Sequence, residues 1–227
     1  MKRAGSWVDR NLKYLFTVPT ILFVLAMVLF PILYTLILSF HSWRMSANIS
    51  WEYVGLGNYI QMFTSSRFPM AAWRTFLFAA VALIFELALG ILIALFLNRE
   101  FRGKNLTKTA FLLPMVATPV AVGMVWKLIY EPSIGILNYI IRSAGGPKID
   151  WLGSTANALY SLVAVDVWQW TPMVMLIVLA GLSAIPTESY ESALVDGATS
   201  FQTTMKITLP LLRPTIYTAA LLRLIDV

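Results

Sequence analysis

Four charged residues lie inside apolar stretches of this chain, where a charge is costly unless it does chemical work. Glu86 is at the middle of an apolar run, and Asp166 lies about two helical turns into another run. Arg223 and Asp226 are three residues apart, so they can pair on one helix face. Charged groups within a bilayer usually pair, face a water-filled cavity or relay protons. This spacing leaves open a helix-packing role, a solute contact and a proton relay for Glu86 and Asp166.

Aromatic and amide side chains accompany these charges. Hydroxyl-rich solutes are bound by aromatic faces together with hydrogen-bonding groups, and tryptophan is also common at a membrane interface. We therefore consider a possible solute path that consists of Glu86, Asp166, Gln169, Trp170, Tyr217, Arg223 and Asp226.

Composition argues against covalent catalysis by this chain. There is no cysteine, and His41 is the only histidine, so thiolate, imidazole and metal-cluster chemistry lack material. No G-x-x-x-x-G-K-S/T motif occurs, so we expect no nucleotide-phosphate cradle. We predict no catalytic residue, no metal and no cofactor in the chain.

Long apolar runs position the charged residues. The chain is 59% hydrophobic and only 12% charged, whereas soluble domains carry roughly a quarter charged residues. A membrane-spanning helix needs about 20 apolar residues. We predict one transmembrane domain with spans at about 14–40, 75–97, 109–130, 158–185 and 215–227. The last run is too short to cross a bilayer, so we expect the sequence to be truncated within a fifth span.

The distribution of basic residues orients these spans. Ten basic residues fall on one side and five on the other, which places the N-terminus in the cytoplasm by the positive-inside rule. The cytoplasmic set is Lys2, Arg3, Arg10, Lys13, Arg99, Arg102, Lys104, Lys108, Lys206 and Arg213, and the outer set is Arg44, Arg67, Arg74, Arg142 and Lys148.

The polar stretch 183–214 then lies in the cytoplasm between two spans. Its pattern predicts a helix that runs to Asp196 and stops at Gly197, because glycine readily adopts the left-handed conformation that ends helices. A second short helix is expected from about Ser200 to Lys206. Ala193, Gly197 and Ala198 would form a small face that a partner could approach closely. A plain interfacial connector between two spans is the other interpretation of this stretch.

The stretch "ESALVDGATSFQTTMKITLPLLRP" closely resembles the EAA loop of permease subunits from binding-protein-dependent ABC importers. The segments "VGLGNY", "ELALG" and "DVWQWTP" resemble the carbohydrate-uptake branch. The matching positions are Glu191, Ala193, Asp196, Gly197, Ala198, Ile207, Leu209, Pro210 and Pro214, with Ser192 in place of the usual alanine.

The resemblance implies an all-α integral membrane protein, a multi-span bundle of the type I ABC importer permease kind with a cytoplasmic coupling helix in the loop 183–214. It implies a permease subunit in a prokaryotic plasma membrane that helps to form the path for a sugar, polyol or similar solute. The helices at 188–206 would dock on a cytosolic ATPase dimer, which would bind ATP and Mg. A second permease subunit and an extracytoplasmic solute-binding protein would complete the importer, with no nucleic acid involved. The alternatives are a proton-coupled transporter that uses Glu86 and Asp166, and a membrane scaffold without transport activity.

Overall fold

The computed structural model describes residues 3–42 and 51–227, with side chains from residue 11 onward. Lys2 and Arg44, which entered the count of basic residues, lie outside the described residues. The chain divides into two compact units, residues 1–71 and 72–227.

The first unit is built on one long helix and a small strand pair. Helix α1 (Arg3–Ser39) is followed by β1 (His41–Ser42), β2 (Glu52–Tyr53) and α2 (Gly57–Thr64). The two strands are antiparallel, with His41 opposite Tyr53. The most apolar window of α1 buries none of its side chains among the described residues. A helix that is apolar on all sides is suited to lipid or to another subunit.

The second unit contains most of the helices. Helix α3 (Arg67–Leu97) begins in the first unit and continues into the second. It is followed by α4 (Lys104–Val116), α5 (Pro119–Ile129), α6 (Ile136–Ser143), α7 (Ala158–Ser183), α8 (Thr187–Val195), α9 (Ser200–Thr203), a π-helical turn (Thr204–Thr208) and α10 (Leu209–Asp226).

Three of the described helices are long and apolar enough to cross a membrane: Asn11–Ser39 within α1, α3 and α7. The predicted span 109–130 corresponds to α4 and α5, which are bent by 94° at their junction. Thr118 is extended there, with ψ of 141°, since the residue before a proline is pushed out of the helical region. Helix α10 overlaps the predicted fifth span and carries Arg213, Arg223 and Asp226 among its 18 residues.

The core of the second unit lies where α3, α7 and α10 pack together. Gly90 of α3 lies against Val174 of α7, and Gly181 of α7 lies against Thr215 of α10. Small residues at such positions let membrane helices approach closely. The fully enclosed core side chains are Ala94, Leu97, Val174, Met175, Val178, Leu182, Leu212 and Ala219.

A buried amide, that of Asn138, helps to hold the segment between α5 and α7. Asn138 on α6 donates to the Ile149 carbonyl over 2.7 Å and accepts from the Ile149 N–H over 3.0 Å. Tyr130 Oη donates to the Ser161 carbonyl over 2.9 Å, which ties the end of α5 to α7. These contacts give the predicted outer loop a defined structure.

Candidate functional site

The first candidate site is the EAA segment, which we define as residues 187–208. Its first helix, α8, ends in a Schellman motif: the Gly197 N–H donates to the Leu194 carbonyl, and the Ala198 N–H donates to the Ala193 carbonyl. Gly197 has a φ of +69°, which is the left-handed conformation that favours glycine. The predicted helix stop at Gly197 is confirmed.

The second helix of the EAA segment begins with a capping box. The Thr199 hydroxyl accepts from the Gln202 N–H, and Gln202 Oε1 accepts from the Thr199 N–H over 2.8 Å. The helix then passes through the π-helical turn directly into α10. The predicted end near Lys206 is therefore wrong. Pro210 lies in the first turn of α10, directly after the π-helical turn.

The side chains of the EAA segment do not all point where the sequence predicts. Ala193 is only 4% exposed and packs within the chain, so it is not part of an open small face. The exposed members of the pattern are Glu191, Ser192, Asp196, Gly197 and, on α10, Pro214. The partly buried members are Ala198, Ile207, Leu209 and Pro210.

Three apolar side chains of the EAA segment that sequence reasoning missed are exposed. Leu194 is 77% exposed, Val195 86% and Phe201 71%. The signal was present in the sequence, because Leu194 and Val195 are adjacent apolar residues in an otherwise polar helix. Adjacent exposed apolar side chains mark an interaction site more often than a single exposed one does.

The second candidate site is the charge cluster, which we define as Glu86, Asp166, Arg223 and Asp226. The Arg223 guanidinium binds Glu86 with two hydrogen bonds, Nε to Oε2 over 2.7 Å and Nη2 to Oε1 over 2.8 Å. It also donates to Asp166 over 3.0 Å and to Asp226 over 2.8 Å. The predicted Arg223–Asp226 pair is confirmed, whereas the links to Glu86 and Asp166 were not predicted.

The cluster joins α3, α7 and α10 at one guanidinium. Glu86 is fully buried and Arg223 is 1% exposed, while the side chains of Asp166 and Asp226 are 21% and 54% exposed. The Trp170 ring covers the guanidinium, with its centroid 5.1 Å from Arg223 Cζ. One positive charge is thus shared among three carboxylates, and only Asp166 and Asp226 present oxygen atoms that a solute could reach.

The remaining members of the possible solute path are Gln169 and Tyr217. Gln169 is 6% exposed, and its Nε2 has no hydrogen-bond partner in the described part of the chain. Tyr217 is 65% exposed and lies on a different face of α10 from Arg223, because six residues correspond to about 600° of helix rotation. The structure therefore does not bring Tyr217 into the cluster.

No group of three His, Cys, Asp or Glu side chains within residues 3–42 and 51–227 is placed to hold a metal ion. The three acids of the charge cluster surround an arginine instead.

The fold and the two sites are those of a helical membrane protein with an exposed helical segment at one end of its bundle. Residues 86–227 match the family described as "Binding-protein-dependent transport system inner membrane component". The chain belongs to this family. The predicted membership of the binding-protein-dependent ABC permeases and the predicted class of fold are confirmed.

Curated relatives and solved structures agree with this assignment. The chain is 40% identical over 213 residues to a probable ABC transporter permease protein of Sinorhizobium fredii, covering 93% of this chain and 69% of the relative. It is 34% identical to the trehalose/maltose transport system permease protein of Thermococcus litoralis, covering 96% and 74%. A chain in the crystal structure of a bacterial alginate ABC transporter with an alginate pentasaccharide-bound periplasmic protein matches with a TM-score of 0.82 and 25% identity, covering 98% and 74%.

Proposed function

We propose that this chain is the membrane-spanning permease subunit of an ATP-driven ABC importer for a sugar, polyol or similar solute. The observation that carries the proposal is the exposed helix α8, ended by the left-handed Gly197, within the EAA pattern of a binding-protein-dependent permease. The carbohydrate class rests on the names of the relatives, which transport trehalose/maltose and arabinooligosaccharides.

The EAA segment would be the docking site for a cytosolic ATPase subunit. Leu194, Val195 and Phe201 present apolar surface, and Glu191 and Asp196 place negative charge beside it. A desolvated apolar centre with a charged rim is the usual anatomy of a protein interface. The ATPase dimer would bind ATP and Mg, and its closure would move the EAA segment as a rigid element.

The proposed importer also predicts the other partners of this chain and its orientation in the membrane. The N-terminus and the loop 183–214 would lie in the cytoplasm, and the loops 41–74 and 131–157 would face an extracytoplasmic solute-binding protein. A second permease subunit and lipid would cover the apolar surface of α1, whose most apolar window is unburied in the part of the chain that the structure describes.

The solute path would use the accessible side of the charge cluster. Asp166 and Asp226 offer carboxylate oxygens and Trp170 offers an aromatic face, whereas the amide of Gln169 is enclosed and cannot contact a solute in this conformation. Glu86 and Arg223 are enclosed, so we assign them to the support of this surface. The proton-coupled alternative, in which Glu86 and Asp166 relay protons, gains no support from the relatives.

The test uses the full-length permease reconstituted with its ATPase, second permease and binding protein. Leu194→Glu is compared with Leu106→Glu, because both leucines are 77% exposed and only Leu194 lies in the EAA segment. We expect Leu194→Glu to lower ATP-dependent uptake of radiolabelled sugar by at least tenfold, which corresponds to about 1.4 kcal/mol of docking free energy. Equal uptake by the two variants, or sugar uptake by the wild type without the ATPase, would contradict the proposal.

A further inference from the structure

Arg223 of the charge cluster lies on the same continuous helix as the second part of the EAA segment, residues 200–208. Helical backbone runs from Ser200 through the π-helical turn to Asp226 without a break. At 1.5 Å per residue, Arg223 lies about 35 Å along this helix from Ser200. A displacement of the EAA segment is therefore carried along the helix axis to Arg223.

Close packing joins the three helices between these two ends. A Cβ at Gly181 would lie 2.7 Å from the Thr215 side chain, and a Cβ at Gly90 would lie 2.6 Å from Val174. The enclosed core side chains, from Ala94 to Ala219, occupy the same region. This packing holds the three helices together in the part of the bundle nearer the EAA segment. Arg223 of the charge cluster lies beyond it, toward the C-terminal end of α10.

Stability alone does not account for this cluster. A buried ion pair contributes little compared with apolar side chains of similar size, because the desolvation of both charges offsets their attraction. The cluster instead fixes the relative orientation of α3, α7 and α10. The planar guanidinium binds Glu86 through two hydrogen bonds, and its remaining N–H groups donate to Asp166 and Asp226. Lysine cannot reproduce this forked geometry.

We propose that Arg223 is a positioning residue for transport, which makes α3 and α7 follow the EAA segment as one body with α10. Through Asp166 and Trp170 it also holds the surface assigned to the solute in place. This inference rests on the proposed function and adds the route by which ATPase movement reaches the solute path. Glu86 and Arg223 act on the solute only through their neighbours.

The test measures the number of ATP molecules hydrolysed per solute transported, for each assembled and reconstituted transporter. Glu86→Gln removes the charge of the buried partner, and Arg223→Lys removes the fork. Glu100→Gln is the matched control, because Glu100 pairs with Lys104 at the surface and its side chain is 89% exposed. We expect the first two variants to raise the ratio at least about fivefold, the lower range of typical coupling between sites, and the control to keep the wild-type ratio.

A double variant, Glu86→Leu with Arg223→Met, separates positioning from folding. Apolar replacement of both partners of a buried pair is generally tolerated for stability, and the two carboxylates that lose Arg223, Asp166 and Asp226, reach solvent. We therefore expect this transporter to assemble and still to hydrolyse ATP with little uptake. A wild-type ratio in the double variant would overturn the proposal, as would a change in KM for the solute with an unchanged ratio. If the wild type shows no ATPase-dependent uptake, the proposed function itself fails. If the wild type transports and every variant keeps its ratio, only the role of Arg223 fails.

Discussion

A single methyl group added at Gly90 tests whether α3 and α7 pack as tightly as the structure indicates. In Gly90→Ala the new Cβ would lie 2.6 Å from Val174 Cγ1 and 2.8 Å from Val174 Cβ, whereas carbon atoms prefer separations of about 3.5 to 4.0 Å. Val174 is fully buried, and its branched side chain has little rotamer freedom. The helices must therefore move apart by roughly 1 Å to restore ordinary contact.

The expected cost follows from two opposing contributions. Overpacking of a well-filled core costs about 1–3 kcal/mol, while replacement of glycine by alanine within a helix gains up to about 1 kcal/mol. Gly123→Ala is the matched control, because Gly123 lies within α5 and a Cβ there meets no atom within 4 Å. We expect Gly90→Ala to unfold at lower denaturant than Gly123→Ala, with a difference of about 1–3 kcal/mol in the free energy of unfolding.

The measurement is reversible denaturation of the two purified variants in the same detergent, followed by circular dichroism. Equal midpoints, or a Gly90→Ala protein more stable than the control, would refute the close approach of α3 and α7.

Three further predictions concern the EAA segment, the outer loop and the orientation. Thr199→Ala removes the capping hydroxyl, which costs about 0.5–2 kcal/mol locally, so amide exchange in α9 should accelerate while Thr199→Ser stays near wild type. Asn138→Ala leaves the half-buried Ile149 N–H and carbonyl without their partner, at a cost of about 1 kcal/mol; faster proteolysis of the loop 131–157 should reveal it, and an unchanged digestion rate would contradict the clamp. A single cysteine at Ile134 should react with a membrane-impermeant maleimide on intact cells, whereas one at Leu106 should not; the reverse pattern would invert the proposed orientation.

Local chemistry made several features predictable from the sequence. Gly197 ends α8 because a left-handed residue is required there, and the three-residue spacing brought Arg223 and Asp226 together. The break between α4 and α5 was also predictable in principle, since Thr118 precedes Pro119. The predicted single span 109–130 instead placed both prolines, Pro114 and Pro119, inside one helix.

The features that the sequence did not reveal depend on contacts between distant segments. Glu86 and Arg223 are 137 residues apart, and a single sequence carries no record of such a pairing. The burial of Ala193 depends in the same way on neighbouring helices rather than on its own residue type. The continuity of the helix past Lys206 was not predicted either; Pro210 lies in the first turn of α10, and Pro214 lies inside it.

The central claim, that the EAA segment docks on an ATPase, is tested most directly by cross-linking. Because the chain has no cysteine, one can be placed at the exposed Ser192 and, as a control, at the exposed Thr155 of the predicted outer loop. The full-length permease is assembled with its ATPase carrying single cysteines around its docking cleft, and membranes are oxidised with and without ATP. We expect a disulfide from position 192 whose yield changes with ATP, and none from position 155. An assembled transporter without a cross-link from position 192 to any cleft position would contradict the claim.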